Sequence, residues 1–334
     1  MDRAPTIRDV ASLAKVHAAT ASRALNPRTR DKVSPRTVQR VVEAARTLGY
    51  APNSAARSLR TRTSSVAGVI IPDLRNPMFP PIVRGIEDGL AEAGYMALLG
   101  NTDDDADRER ELVATMRGRQ TDGFILATSH RGGIPLDGTV PVVLVNRRTD
   151  VGDTPSVTAD GPAGVYALVR LLHELGHRRI GHLAGPRDVS TGWDRYRAFQ
   201  DAMASYDLTG PVEFCDFFTE ESGRLATARL LDATPDLTAI VASNDLIALG
   251  CYDVMNQRGL RCPEDISVTG FNEMPFVDKQ RPSLTTVRIP LYDLGLESAR
   301  LLLDRIANPS GPAKSVVLPT QVIQRESVAR PSRR

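Results

Sequence analysis

The fold is decided by residues 6–26, TIRDVASLAKVHAATASRALN, near the start of the chain. Apolar residues recur at helical spacing after Thr6, and Asp9, three positions on, completes a capping box, so a short helix is predicted here. After a break at residues 15–16, a second helical pattern covers residues 18–25. Because neither helix is long enough to be stable alone, the pair is predicted to form a helix-turn-helix, whose second helix enters the major groove of DNA.

The residues that follow complete a small three-helix unit. Ser34 can cap a third helix that begins at Pro35, and Gly49 is expected to end it. A polar basic loop, residues 27–32, separates the second and third helices and suits contacts to DNA phosphates. The apolar stripe of the third helix is predicted to cover the core of the unit.

Charge is distributed unevenly along the chain. Residues 1–62 contain 13 Lys and Arg against 4 Asp and Glu, a net charge of +9, whereas residues 63–334 contain 29 against 36, a net charge of −7. A basic head on an acidic body predicts a polyanionic partner for the head alone. A run of charges usually marks a solvated face, but here the basic residues lie within a capped helical pattern, which favours nucleic acid.

Residues 50–60, YAPNSAARSLR, follow the head. Asn53 can cap a single helical turn that reaches Leu59, and so short a helix is marginal in isolation. Two interpretations stay open for this segment: a plain linker, or a hinge helix that becomes ordered only on DNA.

Beyond a short polar joint at residues 61–65, apolar strands alternate with helices. The predicted strands are residues 66–71, 95–100, 123–127, 141–146, 156–159, 180–184, 239–243 and 267–271, and the predicted helices are residues 79–93, 108–119, 163–175, 193–205, 221–231 and 246–258. Such alternation favours parallel sheets covered by helices on both faces. The elements fall into two sets, so two lobes are predicted, with ligands at the carboxyl ends of the strands.

Several short blocks resemble the lactose-repressor (LacI/GalR) family of bacterial transcription regulators. In the head and the segment after it, these blocks are TIRDVA at 6–11, TASRALN at 20–26, GYAPN at 49–53 and ARSL at 56–59. In the body they are NPMF at 76–79, LGHRRI at 175–180 with AGP at 184–186, SNDLIALG at 243–250 and PSLTTV at 282–287. The resemblance extends over nearly the whole chain. It implies an all-α helix-turn-helix head and an α/β two-lobed body with the fold of a periplasmic binding protein.

The resemblance also implies domain boundaries. Residues 1–52 are expected to form the DNA-binding head, and residues 53–62 the hinge helix. Because the lobes of this fold exchange chain three times, the first lobe is expected to contain residues 63–159 and 289–320, and the second lobe residues 160–288 and 321–334. The tail helix, residues 291–307, then returns to the first lobe, and the last strand, near residues 322–327, ends in the second.

Members of the family bind DNA as dimers whose two hinge helices enter the minor groove side by side. The leucine that matches Leu59 wedges into a central base step and kinks the duplex. The DNA-binding positions implied by the match are Thr6, His17, Ala18, Ala19, Thr20, Ser22, Arg23, Asn26, Arg28, Tyr50, Asn53, Arg57 and Leu59. His17 stands where the family often has Ser, and Ala18 and Ala19 cannot donate hydrogen bonds to bases. The operator sequence of a relative therefore does not transfer to this chain, and Arg23 remains the candidate for a guanine contact.

The resemblance implies an effector pocket between the lobes. The matching positions are Phe79, Asn146, Asp160, Thr191, Trp193, Arg195, Phe218, Asn244 and Asn272. Aromatic faces beside amide and guanidinium groups suit a polyhydroxylated ring, so a sugar or related polyol is expected. The single tryptophan, Trp193, can equally belong to the core, and Arg195 can equally form a surface ion pair. Asn272 stands where many sugar-responsive relatives have Asp, and because an amide both donates and accepts, the ligand can differ.

Other chemistry finds little support in the sequence. His173, His177 and His182 do not share a helical face, because Gly176 is expected to end the helix between the first two, so neither a metal nor a cofactor is expected. The acidic run at 103–107 lacks the glycine and closing glutamate of a calcium loop. No phosphate-binding loop, dinucleotide fingerprint or nucleophile elbow is present, and no enzyme is predicted. Three scattered cysteines, no signal peptide and no bilayer-spanning run predict a cytoplasmic protein with reduced thiols.

The sequence therefore predicts an effector-controlled DNA-binding regulator, expected to be a repressor that binds a near-palindromic operator as a homodimer. Two other classes of protein stay as alternatives. A solute-binding protein of a transport system shares the two-lobed body, but it needs a signal peptide and has no basic head. An α/β enzyme shares the strand-helix alternation and is distinguished by turnover of hydrolase or dehydrogenase substrates.

Overall fold

The computed structural model describes residues 5–26, 29–51, 63–128, 130–134, 136 and 140–332, and the chain forms two compact units, Met1–Ser64 and Ser65–Arg334. The expected hinge at residues 53–62, with Asn53, Arg57 and Leu59, lies outside the described residues, as does Arg28. No helix within the described ranges is long and apolar enough to cross a membrane.

The first unit contains α1 (Ile7–Leu13), α2 (Ala18–Leu25), a 3-10 turn (Arg30–Lys32) and α3 (Pro35–Thr47). The carboxylate of Asp9 accepts hydrogen bonds from the backbone N–H and the hydroxyl of Thr6, both at 2.7 Å, which caps the start of α1. The hydroxyl oxygen of Ser34 accepts from the N–H of Thr37 at the start of α3. Gly49, just after α3, has a φ of +62°, a conformation that favours glycine. The buried faces of the helices form one small core.

The first lobe of the second unit is a six-stranded sheet covered by helices on both faces. Its strands are β1 (Val66–Ile71), β2 (Met96–Asn101), β3 (Gly123–Leu126), β4 (Val142–Val145), β5 (Ser156–Ala159) and β11 (Ser315–Leu318), and its helices are α4 (Phe79–Glu92), α5 (Ala106–Gly118) and α10 (Leu291–Ala307). The strands are parallel and lie in the order β11-β5-β4-β3-β1-β2. In the centre of the sheet, Ala67 of β1 pairs with Gly123 of β3. Helices α4 and α10 pack closely against each other.

The second lobe has the same architecture with fewer strands. Its strands are β6 (Ile180–Ala184), β7 (Val212–Phe214), β8 (Ala239–Ala242) and β9 (Ser267–Thr269), and its helices are α6 (Gly161–Glu174), α7 (Ser190–Ala204), α8 (Glu220–Ala233) and α9 (Asp245–Gln257). These strands are parallel in the order β7-β6-β8-β9. A separate antiparallel pair, β10 (Thr286–Arg288) and β12 (Gln321–Ile323), lies next to the second and third passages of the chain between the lobes.

The chain passes between the lobes after β5, after β10 and after β11. The first and last of these crossings are hydrogen-bonded to each other. The N–H of Asp160 donates to the carbonyl of Leu318 at 2.8 Å, and the hydroxyl of Thr320 donates to the carbonyl of Asp160 at 3.1 Å. The crossings therefore form one connected hinge region.

Three strands of the structure, β7, β10 and β11, were not predicted from the sequence. Each has only three or four residues, which is too short for a period to be read, and β7 and β11 lie at sheet edges with half-buried or exposed side chains. The last strand also ends at Ile323, whereas the resemblance implied a last strand near residues 322–327.

The histidines and cysteines of the body have ordinary structural surroundings. His173 stacks on the ring of Tyr206 at 4.0 Å, and His177 contacts the hydroxyl of Thr238 at 3.0 Å. His182 is buried in β6 against a carbonyl of β8 at 2.7 Å. The three cysteines are free thiols, and the part of the chain that the structure describes contains no cluster of His, Cys, Asp or Glu suited to a metal ion.

Candidate DNA-binding and effector-binding sites

The outer face of α2 is the candidate DNA-binding surface. Ala19 and Arg23 are exposed on this face, and Thr20 and Ser22 are half-buried. Ala21 is fully buried in the core, which fixes the rotation of the helix about its axis. The polar face predicted from the sequence is therefore presented outward, and its contacts with DNA remain a prediction.

Several other predicted DNA-binding residues have a role in shaping this unit. The Nδ1 atom of His17 accepts a hydrogen bond from the N–H of Ala19 at 3.3 Å, so the imidazole caps α2 as Ser does at many helix starts. Asn26 is the residue that ends α2, and half-buried Ala18 packs against the core. Tyr50 also packs against the core, and its N–H donates to the carbonyl of Ala45 at 2.8 Å.

A cleft of about 550 Å³ lies between the two lobes of the second unit. Its lining comes from the segments that follow β1, β2, β3 and β4 in the first lobe and β6, β7, β8 and β9 in the second. The carboxyl ends of both parallel sheets thus face each other across the cleft, which is where α/β proteins of this type bind ligands. The volume lies within the range of small-molecule sites.

Seven of the nine predicted effector positions line this cleft: Phe79, Asn146, Thr191, Arg195, Phe218, Asn244 and Asn272. The structure brings these residues together from both lobes. That these residues bind an effector remains a prediction. The prediction requires them to lie at one cleft, and they do.

The other two predicted positions, Asp160 and Trp193, do not line the cleft. Asp160 is the N-cap of α6, where its carboxylate accepts from the N–H of Ala163 at 3.0 Å, so the side chain is turned toward the helix start. Trp193 lies two residues before Arg195 on α7. Residues two apart on a helix point about 200° apart, so when Arg195 faces the cleft Trp193 faces away from it.

The amide side chains of Asn244 and Asn272 are held in place by neighbouring groups. The Oδ1 atom of Asn244 accepts from the N–H of Ile247 at 2.8 Å and caps α9. Asn272 is 2% exposed and has a φ of +112°, and its amide lies 3.6 Å from the sulfur of Met78 in the first lobe. Fixed amides of this kind present donors and acceptors without a further ordering cost.

Two guanidinium groups, Arg195 and Arg147, occupy the inner wall. Arg195 donates to the carbonyl of Ser243 at 2.5 Å and stacks on Phe271 with its guanidinium carbon 3.8 Å from the ring centroid. Burial, reinforced by the charge of Arg147, lowers the pKa of Arg195 to about 9. Burial likewise lowers the pKa of Arg147 to about 10. Arg147 was not predicted as a cleft residue. The only signal for it in the sequence was its place directly after Asn146, at the end of a buried strand.

Acidic side chains lie around the cleft: Asp73, Asp104, Asp188, Asp216 and Glu220. Asp73 is paired with Arg75 at 3.0 Å, and Asp188 contacts the ring of His130 at 3.0 Å. None of these residues was predicted as an effector position. Four of them belong to loops whose direction depends on the folded lobes, and Glu220 is the first residue of α8.

Side chains outside the cleft lining bridge the two lobes. Arg148, after β4, pairs with Asp194 of α7 at 2.5 Å, and its backbone N–H donates to the hydroxyl of Ser190 at 3.0 Å. Arg131, after β3, lies over the ring of Trp193 with its guanidinium carbon 4.5 Å from the centroid. Trp193 therefore sits at a contact between the lobes, and its ring environment depends on their spacing.

A basic helix-turn-helix unit and a two-lobed unit with a ligand-sized cleft, in a single chain, define a DNA-binding transcriptional regulator of the kind controlled by a small molecule. The family model for bacterial regulatory proteins of the lacI family matches residues 6–53, and the model for a periplasmic binding protein-like domain matches residues 169–328. The chain belongs to the LacI family of bacterial regulatory proteins.

Relatives match along almost the entire chain. The chain is 35% identical over 323 residues to the ribose operon repressor of Halalkalibacterium halodurans, covering 96% of each chain. It is 33% identical over 336 residues to the HTH-type transcriptional repressor CytR of Escherichia coli, covering 98% of this chain and 97% of that one. Among solved structures, a complex of the transcriptional regulator CelR with cellobiose has a TM-score of 0.73 at 31% identity, covering 97% of this chain and 99% of that chain.

This membership confirms the predicted class. The head and the periplasmic-binding-protein-like body are those expected, and the chain is a DNA-binding transcriptional regulator. The relatives are regulators, which decides against the solute-binding and enzyme alternatives.

Proposed function

We propose that this chain is a cytoplasmic homodimeric repressor that binds a near-palindromic operator and is controlled by a sugar or related polyol in the cleft between its lobes. The convergence of seven predicted residues on one cleft at the carboxyl ends of two sheets carries the proposal. The buried amides and guanidinium groups supply hydrogen bonds to hydroxyls, and the rings of Phe79 and Phe218 supply faces for a sugar ring. The names of two relatives, a ribose operon repressor and a cellobiose complex, support the same class of ligand.

The effector acts by linkage between two arrangements of the lobes. A ligand that contacts both lobes binds one arrangement more tightly, and it shifts DNA affinity only by that difference. The cross-lobe pair Arg148–Asp194 and the contact of Arg131 with Trp193 belong to the arrangement described here. A ligand that binds the DNA-binding arrangement more tightly is a corepressor, and one that binds the other arrangement more tightly is an inducer.

A thermal-shift screen of sugars, polyols and nucleobases on the full-length chain tests the ligand class. A sugar or polyol is expected to raise the unfolding temperature and to change the affinity for an operator duplex selected from a random pool, measured by fluorescence anisotropy. A full-length chain with no salt-sensitive affinity for any duplex, with or without ligand, contradicts the repressor role, because phosphate neutralisation makes such binding salt-dependent.

The hinge proposal rests on the sequence at Leu59. Leu59→Ala is expected to reduce both operator affinity and the bend angle of the duplex, since the apolar wedge is what opens the base step. Leu225→Ala, at an exposed leucine of α8, is the matched control and should change neither quantity. A normal bend angle in Leu59→Ala contradicts the wedge.

The edge strand β2 supports the homodimer. Met96 is 66% exposed on this strand and Leu99 is also exposed, so an apolar edge is left for a partner to cover. Met96→Glu is expected to shift sedimentation equilibrium toward monomer, whereas Val151→Glu, at an equally exposed loop valine, should not. A dimer constant unaffected by Met96→Glu removes this edge from the interface.

A further inference from the structure

Two buried guanidinium groups meet in the cleft from opposite lobes. Arg147, directly after β4 of the first lobe, is 6% exposed, and Arg195, in α7 of the second lobe, is 4% exposed. Both line the same cleft, and the charge of Arg147 disfavours the charged form of Arg195. Two cations in one low-dielectric site are costly unless an anion accompanies them.

The partners of both groups are neutral. Arg147 donates from Nη1 to the carbonyl of Asn146 at 2.8 Å and to the hydroxyl of Thr191 at 3.0 Å. Arg195 donates from Nη1 to the carbonyl of Ser243 and from Nη2 to the Oδ1 atom of Asn272 at 3.4 Å. The Nε atoms of both arginines are buried without an acceptor. Within the described residues, neither guanidinium forms an ion pair with a carboxylate, in contrast to most buried charges in proteins.

The carboxylates that act on Arg147 do so from a distance. They are Asp104 and Asp188, and Asp188 already contacts His130 at 3.0 Å. Asp104 is exposed at the cleft, so water screens its charge more strongly than that of a buried group.

The carboxylates that act on Arg195 are also engaged elsewhere. Asp194 is paired with Arg148, and Asp245 accepts from the hydroxyl of Thr286 at 2.6 Å and from a backbone N–H. At Asn272 a neutral amide oxygen stands where a carboxylate would neutralise Arg195. Asp73, Asp216 and Glu220 lie around the same cleft, but among the described residues none of them forms an ion pair with Arg147 or Arg195. The two guanidinium groups are therefore left without a paired carboxylate.

We propose that the effector carries an anionic group, a carboxylate or a phosphate, on a polyhydroxylated carbon skeleton, and that Arg147 and Arg195 together bind this group. The inference rests on the cleft assigned above as the effector site. A guanidinium presents planar paired donors that match carboxylate and phosphate oxygens. The amides of Asn244 and Asn272 and the ring of Phe79 then serve the hydroxylated part of the ligand.

The first test uses simple anions on the full-length chain. Inorganic phosphate and acetate are compared with chloride at constant ionic strength and pH 7, and at least one of the two anions is expected to raise the unfolding temperature more than chloride does. Arg147→Gln and Arg195→Gln should lose this extra rise. Arg258→Gln is the matched control, because Arg258 pairs with Asp232 within the second lobe and does not line the cleft. If the unfolding temperature rises equally in all variants, the anion binds another basic surface, such as the head, and the proposal is overturned. The proposal is also overturned if neither anion raises the unfolding temperature more than chloride does.

The second test compares matched ligands on the unmodified chain and so needs no variant. Glucose is compared with glucuronate and glucose 6-phosphate, and ribose with ribonate and ribose 5-phosphate, by calorimetry. The anionic member is expected to bind at least about tenfold more tightly than its neutral parent, the usual advantage of a charge-assisted hydrogen bond. The carboxylate and phosphate members separate the two sources of charge. In Arg147→Gln the advantage should fall severalfold, and Arg147→Lys, which keeps the charge without the fork, should retain part of it.

The outcomes separate this inference from the proposed function. A neutral sugar that binds in the cleft as tightly as its anionic derivatives keeps the sugar-controlled repressor and refutes the anionic effector. Simple anions that bind at the arginine pair, with no affinity for any sugar derivative, keep the anionic site and refute the sugar class.

Discussion

Replacement of Gly295 by Ala tests the packing that supports the cleft. Gly295 of α10 faces α4, and a Cβ atom built on it would lie 2.0 Å from the carbonyl oxygen of Ile82. Gly85 of α4 is in the reciprocal position, with a Cβ 2.1 Å from the carbonyl oxygen of Tyr292. Ordinary contacts of this kind begin near 3.4 Å, so the two helices would have to separate by roughly 1 Å or more. The atoms in the way are backbone atoms, which no rotamer change can move.

The expected loss follows from two opposing contributions. Overpacking a close-packed interior costs about 1–3 kcal/mol or more, and Ala gains about 0.5–1 kcal/mol over Gly within a helix. Because backbone must move, the cost of overpacking should lie in the upper part of its range. After the helix gain of Ala is subtracted, Gly295→Ala is expected to lower the free energy of unfolding by about 2 kcal/mol, which corresponds to roughly 1 M in the urea midpoint. Gly118→Ala, in α5, meets nothing within 4 Å and is expected to gain about 0.5 kcal/mol.

Urea unfolding followed by circular dichroism measures both variants on the full-length chain. The two midpoints should move in opposite directions relative to the parent. Since α4 begins with Phe79 at the cleft, Gly295→Ala should also weaken effector binding at a urea-free condition where the chain is fully folded. A Gly295→Ala midpoint equal to or above that of Gly118→Ala refutes the close helix contact.

Three further predictions concern single side chains. Arg23→Ala should weaken operator binding by about 1–3 kcal/mol and leave non-specific binding much less affected, and equal losses on both duplexes would show that Arg23 touches only phosphate. Arg131→Ala removes the cation over Trp193, so the emission of this single tryptophan should shift, and an unchanged spectrum would contradict the cross-lobe contact. Burial raises the pKa of Asp245 to about 7, so the folded chain keeps a proton that the unfolded chain loses from about pH 4, and this group makes stability fall as pH rises between those values. The urea midpoint of the parent relative to Asp245→Asn should therefore decrease from pH 4 to pH 7, and a constant difference would contradict the raised pKa.

The helices of the head follow closely from local sequence. The capping pair Thr6 and Asp9, the start of α3 after Ser34, and Gly49 after its end all act within four residues along the chain. Such interactions do not depend on the rest of the fold, so they can be predicted from spacing. The long tail helix, Leu291–Ala307, has the bounds that the resemblance implied, although no side-chain hydrogen bond caps its start.

Candidate residues at strand ends were also predictable, while the direction of a side chain on a helix was not. Asn146, Asn244 and Asn272 follow buried strands, and the carboxyl ends of parallel strands meet at one edge, so these residues converge on the cleft. Asp160 directly follows β5, and Trp193 lies between the lining residues Thr191 and Arg195, yet the first caps a helix and the second faces Arg131. Their roles depend on the rotation of α6 and α7 about their axes, which packing determines.

The sequence by itself determined the three-helix head and its basic charge, the alternation of strands and helices in the body, and the strand ends that supply the cleft. Each of these features depends only on composition or on spacing along the chain. The tertiary structure decided which charges are buried together and which of them are left unpaired. Arg147 and Thr191 are 44 residues apart in sequence, and Arg147 and Arg195 reach the cleft from different lobes. No local sequence pattern predicts that these side chains lie in one cleft, because they are brought together only when two separately folded sheets face each other.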